Sequence, residues 1–400
     1  MSAVLARAGR GVAWGVLVLS LAGLLLGALG RWSPGLDLLA HARGHLIGAA
    51  VFSTLALTLR CRPMVVLALG AFITLAVHAT IAQWAELELV PRAQASAHDP
   101  GSLRIVSLNA WDFNPDPQQA VDYIADSGAD IAILIEFGPN KIEQLHRLER
   151  IYPYRADCSA EWTCGIAVLS RFPIGAVQIV RPGSGPRPSY QMATAIPPDT
   201  TASPLDWERP MLYVQIDLGA GRTLHLINVH LKSKLATTIP GQKINDYTWK
   251  SVPAWAEGSF ISAMKRLGQA LQARMLIDSL FDTHGTGALV AIAGDFNATA
   301  DEVSLKAICG PVEETGNAAH APRVMVPCEN NIPDSSRHSL FHLGIGQMLD
   351  HIIVSRPLLR YFRGAEIHNE ALPDESGAFR TDAQFPESDH APVVANFDLS

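Results

Sequence analysis

The chain has 400 residues, with 31 basic against 38 acidic side chains and 48% hydrophobic residues, enough for two or three domains or one large domain with an appendage. Residues 1–100 hold seven arginines, no lysine and four acids, so residues 101–400 carry 24 basic against 34 acidic groups, net about −10. That balance argues against a non-specific nucleic-acid binder, whose backbone contacts need clustered Lys and Arg, and leaves only a local basic groove open.

Three apolar stretches come first, at 12–30, 40–59 and 64–84. The outer two are near the roughly 20 residues that cross a hydrocarbon core; the middle one reaches that length only when extended back over His41 and Arg43. They are read as an all-α membrane segment of three helices within residues 1–90. Two further stretches after the first favour a retained anchor over a cleaved leader. Arg7 and Arg10 precede the first stretch, and Arg60 and Arg62 fill the link before the third. The positive-inside rule then puts the rest of the chain outside the cytoplasm, on a multi-pass protein of the cell membrane. Residues 91–102, small and polar, read as a linker. Cys61 in the cytoplasmic link is expected as a free thiol, while the even set of Cys158, Cys164, Cys309 and Cys328 suits an oxidising compartment. Local pairing predicts Cys158–Cys164 and Cys309–Cys328 bridges.

Residues 103–400 are expected to form one domain. Leu103 to Leu108 alternates as a β-strand ending at Asn109. Helical spacing over Pro117 to Ser127 leads to a buried strand, Ile131 to Ile135, that ends on Glu136. A carboxylate there is costly to bury without a cation or hydrogen-bond partner. A helix is predicted over Lys141 to Arg150, a strand over Gly165 to Ser170, and loop over Arg181 to Pro210. Met211 to Leu218 and Thr223 to Val229 form a predicted hairpin that ends at His230.

Ser233 to Trp255 is then expected as a long insertion carrying Tyr247, Trp249 and Trp255, a substrate lid, a surface that touches lipid, or equally a plain solvated loop. Gly258 to Leu280 has helical periodicity, with Arg266, Gln269 and Arg274 on its polar side. Leu289 to Ala293 reads as a buried strand ended by Gly294, and extended alternation puts Asp295 and Asn297 on one side with Phe296 in the core. Met348 to Val354 sets Asp350 and His351 among apolar residues, and Ser388-Asp389-His390 precedes a last strand, Val393 to Phe397.

Polar residues thus recur at strand ends, and their pattern resembles the endonuclease/exonuclease/phosphatase superfamily that shares a fold with DNase I. The matching segments are S-L-N at 107–109, I-E at 135–136, N-V-H-L at 228–231, G-D-F-N at 294–297, L-D-H-I at 349–352 and S-D-H-A-P at 388–392. The resemblance implies an α/β fold, a four-layer sandwich with two mixed sheets face to face. It implies a metal site of Asn109, Glu136 and Asp389 holding Mg²⁺ or Mn²⁺, hard cations that prefer oxygen ligands. His390 would be the general base and Asp350 its orienting acid. His230 would bind a phosphoryl oxygen or protonate the leaving group, Asn297 would donate to the phosphate, and Asp295 would position the water or a second metal. In one departure, Ile135 stands where the family usually has glutamine, and Asp112 is the candidate for a further acidic residue used by some nuclease branches.

Three-span anchors joined to such a domain resemble a bacterial branch thought to act on lipid-linked phosphates. The leading expectation is therefore a membrane-anchored, divalent-metal-dependent phosphoesterase that meets the bilayer through its N-terminal helices and cleaves phosphomonoester or phosphodiester bonds outside the cytoplasm. A surface nuclease acting on DNA or RNA is the alternative, and a catalytically silent module that binds a phospho-ligand is the reading from another class.

Overall fold

The computed structural model describes residues 2–27, 43–58, 101–114, 116–161, 163–181, 209–245, 248–377 and 388–400. By backbone contacts the chain divides into two compact units. The first comprises Met1–Leu89, Ala236–Met264 and Asp301–Val303; the second comprises Val90–Leu235, Lys265–Ala300 and Ser304–Ser400.

In the first unit, helices α1 (Ser2–Gly27) and α2 (Arg43–Thr58) pack through Leu17, Ala50 and Leu57. Gly23 allows the approach, since a Cβ there would meet the Leu46 side chain at 2.9 Å. Among the described residues no helix is long and apolar enough to cross a membrane. The expected spans at 12–30 and 40–59 fall on α1 and α2, and α2, with 16 residues, is short of the roughly 20 a crossing needs. The expected span at 64–84, Cys61, and most of the expected linker lie outside the described residues.

The second unit is built on two six-stranded mixed sheets. Its strands run β1 (Ser102–Asn109), β2 (Ile131–Ile135), β3 (Tyr154–Asp157), β4 (Ala167–Ser170), β5 (Ile174–Val180), β6 (Met211–Asp217) and β7 (Thr223–His230). The small hairpin of β8 (Lys243–Asn245) and β9 (Thr248–Trp249) belongs to the first unit; the second continues with β10 (Leu289–Asp295), β11 (Met325–Pro327), β12 (Leu340–His342), β13 (Ile345–Gln347), β14 (Asp350–Ser355), β15 (Phe362–Ile367) and β16 (Val393–Asp398). One sheet has the order β15-β16-β1-β2-β4-β3, the other β11-β14-β10-β7-β6-β5.

Apolar side chains of both sheets, among them Ile105, Ile133, Leu226, Ala293 and Val393, meet in a central core. Helices α3 (Pro117–Asp126) and α4 (Ile142–Leu148) cover the outer face of the first sheet through Val121, Ile124 and Leu145. From Lys265 onward α5 (Val252–His284) covers the second sheet with Ala270, Ile277 and Phe281. The layers run helix, sheet, sheet, helix, the sandwich expected from the motifs.

Three local expectations are corrected. Cys158–Cys164 is a disulfide, but Cys309 and Cys328 are free buried thiols. Cys309 packs in the core between α5 and the second sheet and Cys328 in the core between the sheets, so the predicted bridge would have to join two separate cores. The described part of 233–255 holds the β8 and β9 strands, with Lys243 Nζ 5.2 Å from the Trp249 ring centre, and the start of α5, rather than plain loop, while Tyr247 lies outside the described residues. On α5 itself, Arg266 and Gln269 are buried rather than solvated. Arg266 donates to Lys232 O at 3.0 Å and Gln269 Oε1 accepts Lys232 N–H at 2.6 Å, so the polar stripe of α5 binds the backbone just past β7.

Candidate active site

The site begins with a cross-strand row. β7 and β10 are parallel with His230 opposite Asp295, and β10 and β14 are antiparallel with Asp295 opposite Asp350. One residue from each of three adjacent strand ends is therefore fixed by the hydrogen-bond ladder itself. Gly294 makes the row possible. Its φ of +136° and a virtual Cβ only 2.0 Å from Val229 O exclude any side chain at that position.

Asp295 is the hub. Its Oδ2 accepts from Asn109 Nδ2 at 3.1 Å and from Asn297 Nδ2 at 2.9 Å, its Oδ1 accepts Asn297 N–H at 2.8 Å, and His230 Nε2 lies 3.4 Å away. Burial opposes its ionisation, but the His230 hydrogen bond and the charges of His390 and His230 outweigh it and hold the carboxyl well below the usual carboxylate range. Phe296 points into the core as expected. Asn297 reaches its place differently from simple alternation: at φ 49° it turns left-handed, a conformation asparagine tolerates.

Glu136 faces the row from the first sheet. It too is left-handed, at φ 55°. Its Oε1 accepts from Asn109 Nδ2 at 3.3 Å and lies 3.5 Å from His230 Nε2, while Oε2 accepts Asp112 N–H at 2.7 Å. Burial opposes its charge, yet the cations His230 and Arg209 and the Asp112 N–H lower its pKa. Asn109 turns Nδ2, not Oδ1, toward these carboxylates, because Oδ1 accepts Trp111 N–H at 3.0 Å. In this arrangement Asn109 is an amide bridge between Glu136 and Asp295.

The expected dyad is formed: His390 Nδ1 lies 2.6 Å from Asp350 Oδ2. Ser339 Oγ accepts Asp350 N–H at 3.0 Å and fixes the strand start, and among the described residues Asp350 Oδ1 is buried without a hydrogen bond. Burial opposes protonation of His390, but Asp350, with Asp295 and Asp389, raises its pKa well above the ordinary imidazole value. Asp389 is pushed up to about 7, first by burial and, against the opposing charge of His390, also by the charge of Glu136.

The donor set fits a hard divalent cation. Ligand atoms of Glu136, His230 and Asp295 lie within 4.8 Å of one another, as do those of Asp295, Asp350 and His390. Closely spaced buried carboxylates with few cationic partners are stabilised by such an ion. Direct contacts gather Asn109, Glu136, His230, Asp295, Asn297, Asp350 and His390 in this one region of the second unit. Asp389, beside His390 in sequence, belongs to neither cluster of ligand atoms and reaches the site through its charge on His390 and that of Glu136 on it.

Two residues were not anticipated. Lys141, wholly buried, donates from Nζ to Trp111 O at 2.8 Å and Glu136 O at 2.9 Å, and lies 3.8 Å from Asp112 Oδ1. It holds the carbonyls of two left-handed residues, Trp111 and Glu136. In the sequence it is an ordinary helix-start lysine, and nothing around it signals burial. Arg209, just before β6, donates to Leu231 O at 3.0 Å.

Solved structures to which the chain is similar include truncated Caenorhabditis elegans TDP2, at 15% identity and TM-score 0.45 over 74% of this chain and 98% of that one. Beta toxin from Staphylococcus aureus follows at 15% and 0.43 over 73% and 99%. An endonuclease/exonuclease/phosphatase from Bacteroides vulgatus matches at 16% and 0.44 over 75% and 100%. No curated protein sequence matches the chain. A family model does: it spans residues 106–390, from within β1 to His390. With its six strand-end motifs gathered into one site, the chain belongs to the Endonuclease/Exonuclease/phosphatase family and is a phosphoester hydrolase.

Proposed function

We propose that this protein is a divalent-metal-dependent phosphoesterase, held at a membrane by its apolar N-terminal segment, that hydrolyses lipid-linked phosphates outside the cytoplasm. The observation that carries the catalytic part is the in-register row of His230, Asp295 and Asp350 with His390 on Asp350 and Glu136 across from it.

Hydrolysis needs a water made nucleophilic, phosphoryl charge offset, and a leaving oxygen protonated. Glu136 and Asp389, with Asn109 after an amide turn, would hold Mg²⁺ or Mn²⁺, which supplies charge neutralisation on the phosphoryl oxygens when bound. His390 takes the proton of the attacking water at Nε2, while Asp350 fixes its ring and stabilises the imidazolium. Asp350, Asp295 and Asp389 around His390 favour its protonated form, and a cation held by Glu136 and Asp389 would offset part of that negative charge. His230 Nε2 is the N–H that meets the phosphoryl group and protonates the leaving oxygen. Asn297 Nδ2 spends both of its protons on Asp295 Oδ2 and Leu231 O and so holds Asp295 in place, where the sequence reading had it donate to the phosphate.

The membrane part rests on sequence. The apolar stretches at 12–30, 40–59 and 64–84, the arginines that flank them, and the Cys158–Cys164 bridge favour an anchored protein in an oxidising compartment. The insertion after His230 leaves Ile244, Val252 and Trp255 at 68%, 74% and 51% exposure beside Lys243, a composition suited to lipid headgroups.

Purified full-length protein in detergent with Mg²⁺ is tested on lipid-linked phosphates and on plasmid DNA. Release of phosphate or a headgroup phosphate from lipid is expected. Nicking of DNA without lipid turnover overturns the substrate assignment in favour of a surface nuclease, and an inactive C-terminal alkaline-phosphatase fusion overturns the extracytoplasmic placement.

A further inference from the structure

A phosphoryl group bound for hydrolysis carries charge on at least two non-bridging oxygens, and each needs a partner that stays in place as charge redistributes. Arg209 stands where such a partner is required. Continuing the β6–β7 register of Leu212 opposite Asn228 by three residues puts Arg209 opposite Leu231, the residue after His230. Pro210 restricts the Arg209 backbone to extended conformations. Arg209 Nη1 donates to Leu231 O at 3.0 Å, and the same carbonyl accepts Asn297 Nδ2 at 3.2 Å. One backbone oxygen therefore seats both Arg209 and the Asn297 amide that also holds Asp295.

The guanidinium is half-buried, and among the described residues it forms an ion pair with no carboxylate. Its charge still reaches Glu136 and Asp112 and favours their ionised forms. Lys141, the other cation nearby, is committed to two carbonyls, and His230 is the proton donor to the leaving oxygen in the proposed reaction. Among the described residues Arg209 is a cation whose charge acts on the carboxylates, with one donor fixed and the rest of its planar fork left over, the geometry that suits phosphate oxygens.

We propose that Arg209 is a substrate-contacting residue whose guanidinium, seated on Leu231 O, binds a non-bridging oxygen of the phosphoryl group undergoing hydrolysis. The inference rests on the phosphoesterase reading. Its rival is a strap role, in which Arg209 only secures the end of β7.

The test uses full-length R209A, R209Q and R209K, with three readouts: kcat/KM on a phosphoester that wild type cleaves, Mn²⁺ affinity without substrate, and affinity of the Mn²⁺-loaded protein for inorganic phosphate. Loss of a charge-assisted contact is expected to lower kcat/KM and phosphate affinity about 10- to 100-fold in R209A and R209Q. R209K should recover part of it, and added guanidinium ion should rescue R209A. Mn²⁺ should bind R209A at least as tightly as wild type, because a competing positive charge beside Glu136 is gone. A strap predicts the opposite: Mn²⁺ affinity falling in step with activity, with no guanidinium rescue. That result, or unchanged phosphate affinity in R209A, overturns the proposal. A wild type that binds Mn²⁺ and phosphate but cleaves no ester sinks the phosphoesterase reading, and the phosphate affinities then decide the Arg209 contact alone.

Discussion

Gly294→Ala probes the row directly. The new Cβ would lie 2.0 Å from Val229 O, where real Cβ contacts stay above 3.0 Å, so β10 and β7 must separate by about 1 Å at the Val229–Gly294 pair. Overpacking of this kind costs about 1–3 kcal/mol. An L-residue at φ +136° adds about 1–2 kcal/mol of backbone strain. The sum, roughly 2–5 kcal/mol, corresponds to a fall in melting temperature of about 5–15 °C for a unit of this size. Because His230 and Asp295 flank the displaced pair, their 3.4 Å contact opens as well. A 1 Å misplacement in a catalytic array costs on the order of 10²-fold in rate. Thermal denaturation followed by circular dichroism and initial rates on a chromogenic aryl phosphodiester measure the two effects. A G294A protein with wild-type melting temperature and rate would refute the close approach on which the site geometry depends.

Lys141→Met removes charged donors from Trp111 O and Glu136 O, worth about 1.5–3 kcal/mol each before the relief of a buried charge is subtracted. A net loss of about 2–4 kcal/mol and weaker Mn²⁺ binding are expected, read by denaturation and metal titration; wild-type Mn²⁺ affinity would contradict the role assigned to it. The His225 imidazole, held by Tyr213 OH at 2.8 Å, is pushed down to about 4 by burial and by His284. Its folded pKa lies below the unfolded value of about 6.5, so its stabilisation is complete above that pH and is lost as pH falls toward 4. Urea melts from pH 7 to 4 should show this slope, and His225→Gln should flatten it. The His390 pKa, raised here by Asp350, Asp295 and Asp389, should fall on Mg²⁺ addition, followed by imidazole NMR shifts; no change with Mg²⁺ would separate the cation from the dyad.

Most of the site was legible because its residues sit at strand ends, where a polar side chain interrupts an apolar run and shows as a break in pattern. Asp295, His230 and Asp350 stood out this way, and strand pairing then set them side by side. What lay outside the pattern was tertiary. Periodicity marks Arg266 and Gln269 as a polar stripe on α5 but does not say that the stripe binds the Lys232 backbone rather than water. Lys141 is buried because two left-handed turns bring carbonyls to it, a convergence of residues 30 and 5 positions away that no local window contains. The Cys309–Cys328 expectation failed for the same reason: nearness in sequence does not tell which side of a sheet each thiol takes. Asn109 was identified as a site residue, but its amide orientation is set by the Trp111 N–H, which only the folded turn reveals.

The most direct test of the convergence of these strand ends is hydrolysis of an aryl phosphodiester by the full-length protein, with and without chelator, beside His390→Ala. The account predicts activity that EDTA abolishes and Mg²⁺ or Mn²⁺ restores, and a rate lowered by about 10²–10⁴ in the variant. Turnover that survives both chelation and the loss of His390 would contradict it.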